Sequence, residues 1–131
     1  MSKTSNNIVQ FNTPNLPAPG GHYSQAVIHG GLIYISGQLP LNPFTGEKVT
    51  GSIEEQTQQI LDNVDTLLKD AGSSKKKVLK CTLYISDINL WGRVNQVYAD
   101  FFGKHKPARA VVPVKDLHFG FKIEIELIAS L

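Results

Sequence analysis

The stretch SIEEQTQQILDNVDTLLKDAG, residues 52–72, decides the fold. Ser52 with Glu55 three residues on matches a capping box, in which side chains satisfy backbone N–H groups that the first helical turn leaves unpaired. Ile53, Ile60, Leu61, Val64, Leu67 and Leu68 then recur at three-to-four spacing as one apolar stripe, with Glu54, Gln58, Asp62 and Asp65 elsewhere. Gly72 stands where a left-handed terminating residue is wanted. The pattern predicts a helix that must bury one side against something else. After Lys75-Lys76-Lys77, which reads as a solvated turn, VLKCTLYI at residues 78–85 predicts a strand. Leu79, Cys81, Leu83 and Ile85 are expected on one face, with Lys80, Thr82 and Tyr84 on the other. Cys81 alternates with aliphatic residues and so reads as a small buried hydrophobe rather than a nucleophile.

Working outward, Ser24–His29 and Leu32–Ser36 are β-prone runs joined by Gly30-Gly31. Two glycines accept the positive φ angles of a tight hairpin turn. Met1 to Gly21, rich in Asn, Ser and Pro, reads as an irregular arm, and Leu41 to Gly51 as a surface loop. Asp87 or Asn89 is expected to cap a second helix with the stripe Trp91, Val94, Val97, Tyr98, Phe101 and Phe102, stopped by Gly103. Ala108–Val114 and Lys122–Leu131 read as strands joined by a turn around Asp116–Gly120. Helices between strands imply right-handed crossovers that place both helices on one face of a mixed sheet, an α+β two-layer sandwich.

Length and composition bound the function. The 131 residues suit a single domain over 1–131, and 41% hydrophobic with 18% charged residues is an ordinary globular mixture. No run approaches the ~18 apolar residues of a membrane span, and MSKTSNNIVQ lacks the apolar centre of a signal peptide, so a cytosolic protein is expected. Thirteen basic against eleven acidic side chains leave +2, which argues against non-specific nucleic-acid binding. One cysteine excludes an internal disulfide, and His22, His29, His105 and His118 fall at no metal-ligand spacing.

Two helices cover one sheet face, yet the strands carry apolar groups on both sides, as in Ile33 and Ile35 against Leu32 and Tyr34. A bare apolar face exceeds what a soluble monomer usually shows. Burying on the order of 800 Å² per partner contributes roughly 10–20 kcal/mol before association costs, so a homo-oligomer is expected.

Two features offer chemistry. Arg109 opens the otherwise apolar strand Ala108-Arg109-Ala110-Val111-Val112, and Glu124 and Glu126 alternate with Ile123, Ile125 and Leu127. If Ala110, Val112 and Val114 face the helices, Arg109 points to the same uncovered side as Glu124. At an interface such charges need a partner or a ligand. A planar guanidinium matches a carboxylate bidentately, and a nearby glutamate holds water or passes a proton. A wet polar face, or a structural Arg109–Glu124 ion pair across neighbouring strands, fits the same pattern.

Taken together, several segments resemble the RidA/YjgF family of reactive-intermediate deaminases. They are Pro19-Gly20, Tyr23-Ser24-Gln25-Ala26-Val27, Ser36-Gly37-Gln38-Leu39-Pro40, Asn42-Pro43, Thr45-Gly46, Gln56, Leu61-Asp62-Asn63-Val64, Val94-Asn95, Tyr98, Phe101-Phe102, Pro107-Ala108-Arg109 and Ile123-Glu124-Ile125-Glu126. The resemblance runs from about Tyr23 to the C-terminus. It implies a chorismate-mutase-like two-layer sandwich, a mixed six-stranded sheet with two helices on one face, and a homotrimer with clefts between subunits. It also implies hydrolysis of 2-imino acids (2-iminopropanoate, 2-iminobutanoate) to 2-keto acids and ammonia, with no cofactor. By the same resemblance Arg109 holds the substrate carboxylate, Glu124 positions the attacking water, and Tyr23, Asn95 and the main chain around Gly37 and Val111 line the cleft.

The chain departs from that pattern at positions bordering the cleft. Val111 stands where many members have cysteine, His22 where many have proline, Pro113 where glutamate is common, and Leu117-His118-Phe119-Gly120 replaces a Leu-Pro turn. A carboxylate-binding or regulatory trimer without turnover, or a chaperone-like or RNA-cleaving protein, are the other readings the resemblance allows.

Overall fold

A computed structural model describes residues 6–131. The helix read from residues 52–72 forms as α1 (Ile53–Asp70). Ser52 Oγ accepts from the Glu55 amide at 3.1 Å, and the chain leaves the helix with Ser73 N–H donating to the Leu68 carbonyl at 2.8 Å and Gly72, at φ 85°, donating to that of Lys69. That pairing of the last carbonyls is the Schellman arrangement, which requires a residue tolerant of positive φ at its turn. The buried positions of α1 include the whole expected stripe.

The strands are β1 (Val9–Phe11), β2 (Ala26–His29), β3 (Leu32–Gln38), β4 (Val78–Ile85), β5 (Ala108–Pro113) and β6 (Ile123–Ser130), with α2 (Trp91–Phe102) between β4 and β5. They form one six-stranded sheet in the order β1-β2-β3-β6-β4-β5. β4 and β5 run parallel; the other four pairs are antiparallel. The crossover through α1 leaves a gap one strand wide between β3 and β4, and the last strand of the chain fills it. Gly30 and Gly31, at φ 60° and 81°, close the β2–β3 hairpin. The two helices contact each other, and Ile33, Ile35, Cys81, Leu83, Ile85, Ile123, Ile125 and Leu127 lie buried beneath them. The other face carries Val27, Tyr34, Ile128, Thr82, Tyr84, Glu124 and Glu126, none of them fully buried. No helix among the described residues is long and apolar enough to cross a membrane.

Three local expectations are corrected. The arm contributes β1, whose three residues pair with β2 at the sheet edge; flanking Asn and Pro hid a strand too short to show a period. Leu79 is not in the core. The pairing of β4 with β6 steps from Val78↔Ala129 to Lys80↔Ile128, so a bulge absorbs Leu79, which is 47% exposed while Val78 takes the buried place. Asp87 caps a short 3₁₀ turn at Ile88–Leu90 rather than α2, whose start at Leu90 has no side-chain cap.

The bulge makes a direct test. Leu83→Ala is expected to cost about 2–5 kcal/mol of unfolding free energy. Leu79→Ala, on the same strand, is expected to stay within about 0.5 kcal/mol. Urea unfolding at one protein concentration measures both, and equal losses would contradict the register.

Candidate functional site

Alternation along β6 sends Ile123, Ile125 and Leu127 under the helices and Glu124 to the open face, where it is half-buried opposite Tyr84. Its seat is made by β3. Ser36 and Gly37 form a second bulge, two residues between the pairs Ile35↔Leu127 and Gln38↔Ile125, which brings the main chain at Gly37 against the carboxylate. A Cβ on Gly37 would stand 3.0 Å from Glu124 Cδ and would overlap Oε2, so only glycine leaves the carboxyl group its place. Burial holds the Glu124 carboxyl above the usual carboxylate range; the His118 ring beside it pulls the other way, and the charge of Glu126 adds to the rise. Glu126 itself accepts a 2.6 Å hydrogen bond from the Tyr84 hydroxyl.

Beside Gly37 a cleft of about 450 Å³ opens between the segment after β1 and the loop after β3, with Tyr23 and His118 on its walls. Tyr23 is 53% exposed, and its hydroxyl accepts a long 3.4 Å bond from the Gly20 amide. The irregular segments around the cleft are tied down by three buried side-chain amides. Gln25 accepts from the Thr13 amide at 2.7 Å and donates to the carbonyls of Thr13 and Pro17. Asn63 on α1 donates to the Leu41 carbonyl at 2.8 Å. Gln56 donates to the Gly51 carbonyl and accepts from the Lys122 amide. Each amide replaces a backbone pairing that a loop cannot supply to itself.

Arg109 lies elsewhere. On β5 it stands in register with buried Cys81, while Ala110 and Val112 align with Thr82 and Tyr84 of the open face. Its guanidinium therefore turns to the helix side, 4.4 Å from the Trp91 ring centroid and 4.9 Å from that of Tyr98, and Nη1 donates to Asn95 Oδ1 at 3.0 Å. Cation–π contact and one hydrogen bond fix the group at the sheet edge, beside a cleft of about 350 Å³ that Asn95 and His105 also line. Val111 follows on the same side of β5, partly buried against the core.

The residues singled out from the sequence thus fall into two sets: Tyr23, Gly37 and Glu124 in one, Asn95, Arg109 and Val111 in the other. The expectation that Arg109 shares the face of Glu124 is corrected, because β5 is an edge strand whose apolar residues face both ways. The ion pair across neighbouring strands is corrected too, since β4 separates β5 from β6 and Arg109 bonds Asn95 instead. Trp91 and Tyr98, members of the α2 stripe, support Arg109; with Asn95 they stand at i, i+4 and i+7 on α2, a spacing that marks one helix face. The three buried amides left no periodic signal to find them by. Among the described residues no group of three or more His, Cys, Asp or Glu is placed to hold a metal.

Residues 13–131 match the family model described as endoribonuclease L-PSP. The chain is 47% identical to a RutC family protein of Pyrococcus horikoshii over 117 residues, covering 89% of this chain and 93% of that one. It is 42% identical over 119 residues to the 2-iminobutanoate/2-iminopropanoate deaminase of Rattus norvegicus, covering 91% and 87%. Among solved structures, a Rid family protein of Yersinia pestis superposes with a TM-score of 0.92 at 44% identity, covering 95% of this chain and all of that one.

The contact between Gly37 and Glu124 generates a structural prediction. In Gly37→Ala the new methyl group displaces the carboxylate toward water, and the Glu124 midpoint, followed by carbon-detected NMR titration, moves down toward the ordinary glutamate range. An unmoved midpoint would show that the Gly37 seat does not hold the group.

Proposed function

The chain belongs to the endoribonuclease L-PSP family, which includes the RidA and YjgF proteins, and on that premise we propose that it hydrolyses reactive 2-imino acids to 2-keto acids and ammonia in the cytoplasm. The observation that carries the reading is the Glu124 carboxylate, half-buried against Gly37 with an upward-shifted pKa. A carboxylate in such surroundings is a better proton acceptor near neutral pH than one in water. The names of the rat and bovine relatives, at 42% and 43% identity, support the same chemistry.

In this mechanism Arg109 anchors the substrate carboxylate through guanidinium N–H groups that Asn95 does not occupy, and Trp91, Tyr98 and Asn95 hold the guanidinium still before substrate arrives. Glu124 takes a proton from water as the oxygen adds to the C=N carbon. It returns that proton to nitrogen, giving a carbinolamine; the new hydroxyl then passes its proton through Glu124 to the amino nitrogen as the C–N bond breaks, releasing ammonia and leaving the carbonyl. Imines of this type hydrolyse unaided, so positioning and general base help of ~10²–10⁴ suffice. No nucleophilic side chain is required.

One protomer keeps Arg109 and Glu124 on opposite faces of the sheet with β4 between them. The proposal therefore includes a homotrimer in which the β5 edge of one copy meets the open face of the next, so that each site draws on two chains. The apolar part of that face, Val27, Tyr34 and Ile128, is what the contact would cover.

A coupled assay tests the reading: a dehydratase generates 2-aminoacrylate from serine, and loss of the imine is followed. The wild type is expected to accelerate decay, Arg109→Ala to abolish the effect, and Glu124→Gln to reduce it by about 10²–10⁴, with a trimer mass by light scattering in all three. Equal rates for wild type and Arg109→Ala would remove the anchor. Acceleration by none of them, with carboxylates still bound, would leave a binding trimer.

Glu124 acts deprotonated in this scheme, so the rate rises with pH through its raised midpoint. The acid limb of the profile should then lie above ~4.3, the free glutamate value, and vanish in Glu124→Gln.

A further inference from the structure

The cleft beside Gly37 is far larger than the methyl or ethyl group of a three- or four-carbon imino acid requires. At about 450 Å³ it falls in the range of sites that enclose a whole small ligand. Its walls are mainly apolar: Leu16 and the prolines at 17 and 19 on one side, Leu39 and Leu41 on the other, and Phe119 at the mouth. Three side-chain amides line it: Gln25 and Asn63 are committed to the backbone carbonyls and amide they bind, and Gln38 Nε2 donates to the Ser36 carbonyl. Gln25 spends its hydrogen bonds in this way and asks none of a ligand. The cleft also adjoins the proposed site, because Gly37 lines it and lies against the Glu124 carboxylate.

Phe119 is the non-glycine residue with positive φ among the described residues, at φ 59° and ψ 19°. A bulky side chain rarely adopts that conformation without a constraint that fixes it. Here it leaves the ring 62% exposed at the cleft mouth, edge-on to Phe121 at 5.9 Å and to His118 at 5.4 Å, with Lys48 Nζ 4.5 Å above it. The surrounding rings and the cation hold an aromatic wall where solvent would otherwise enter.

We propose that this cleft is the side-chain pocket of the site and that the chain prefers 2-imino acids with branched or aromatic apolar side chains, Phe119 closing the outer wall. The inference rests on the deaminase reading for its chemistry and on the cleft alone for its selectivity. Each methylene buried in such a pocket strengthens binding about fourfold. A leucine-derived side chain should therefore gain tenfold or more over that of alanine.

The test uses the full-length protein in its assembled form, with two readouts. Calorimetry compares binding of the product keto acids pyruvate, 4-methyl-2-oxopentanoate, phenylpyruvate and 2-oxoglutarate. The assay compares kcat/KM for the imines that an L-amino-acid oxidase makes from alanine, leucine, phenylalanine and glutamate. The expected result is at least tenfold tighter binding and higher kcat/KM for the leucine and phenylalanine compounds. Leu39→Trp, which fills the cleft, should bring those ratios down toward one and leave pyruvate within about twofold. Phe119→Ala, at an exposed position, should lower the bulky ligands about fivefold and the small ones little, and it serves if Leu39→Trp does not fold. Equal or weaker binding of the bulky compounds, preference for 2-oxoglutarate, or losses shared by small and bulky ligands would overturn the proposal. Bulky keto acids held in this Leu39-dependent way without acceleration of any imine would uphold the pocket and overturn the deaminase reading.

Discussion

The insertion of β6 between β3 and β4 is the constraint on which the molecule depends. Without it the two halves of the sheet, the β1–β2–β3 group and the β4–β5 pair, share no ladder, and the α1 crossover spans a gap. The strand that fills the gap has both edges hydrogen-bonded, so its alternation is locked: every second residue enters the core, and the residues between are committed to the other face. Glu124 owes its position to that lock. It cannot turn inward without expelling Ile123 or Ile125, and it is not fully hydrated where it stands, because β3 bulges toward it. The same rule acting on β5, in parallel register with β4, turns Arg109 the opposite way. The separation of the guanidinium and the carboxylate follows from strand order and register, before any side-chain detail.

Around this rigid centre the irregular segments are held by side-chain amides rather than by ladders. Gln25, Gln56 and Asn63 are at most 4% exposed, and each bonds the main chain of a segment that has no regular pairing of its own. A buried amide left unpartnered is costly, so each amide and the backbone it serves constrain one another. An outer pair, Thr13 Oγ1 and Asn15 Nδ2, donates to Asp70 at the end of α1 and holds its carboxyl below the usual range. The cleft walls are thus loops in outline but are fastened to helix and strand at several points.

Much of this was legible in the residues and some was not, for physical reasons. The α1 stripe, its cap and terminator, the Gly30-Gly31 turn and the alternation of β6 are patterns with a fixed period or a fixed conformational demand, and they read correctly. The β1 strand and the Leu79 bulge could not be read, because three residues show no period and a bulge breaks the very period used to assign faces. The face of Arg109 is not legible for a related reason: on an edge strand apolar residues on both sides carry no sign, and register with β4 decides. Arg109 and Glu124 stood out as charged residues in apolar strands, whereas Trp91 and Tyr98 looked like any aromatic stripe. Gln25 and Asn63 looked like ordinary polar residues, since what distinguishes them is their partners and not their type.

Beneath the guanidinium of Arg109, the thiol of Cys81 is buried in the core with the enclosed Tyr98 hydroxyl beside it, a sulfur contact too weak to count as a full hydrogen bond. Burial pushes that thiol up to about 11, so it stays protonated and shut away from reagents in water. It is also the chain's sole sulfhydryl. The molecule is therefore, as nature made it, a blank for maleimide chemistry: a cysteine placed at an exposed loop position such as Phe44 would take up a spin label or fluorophore alone, with no background to engineer away.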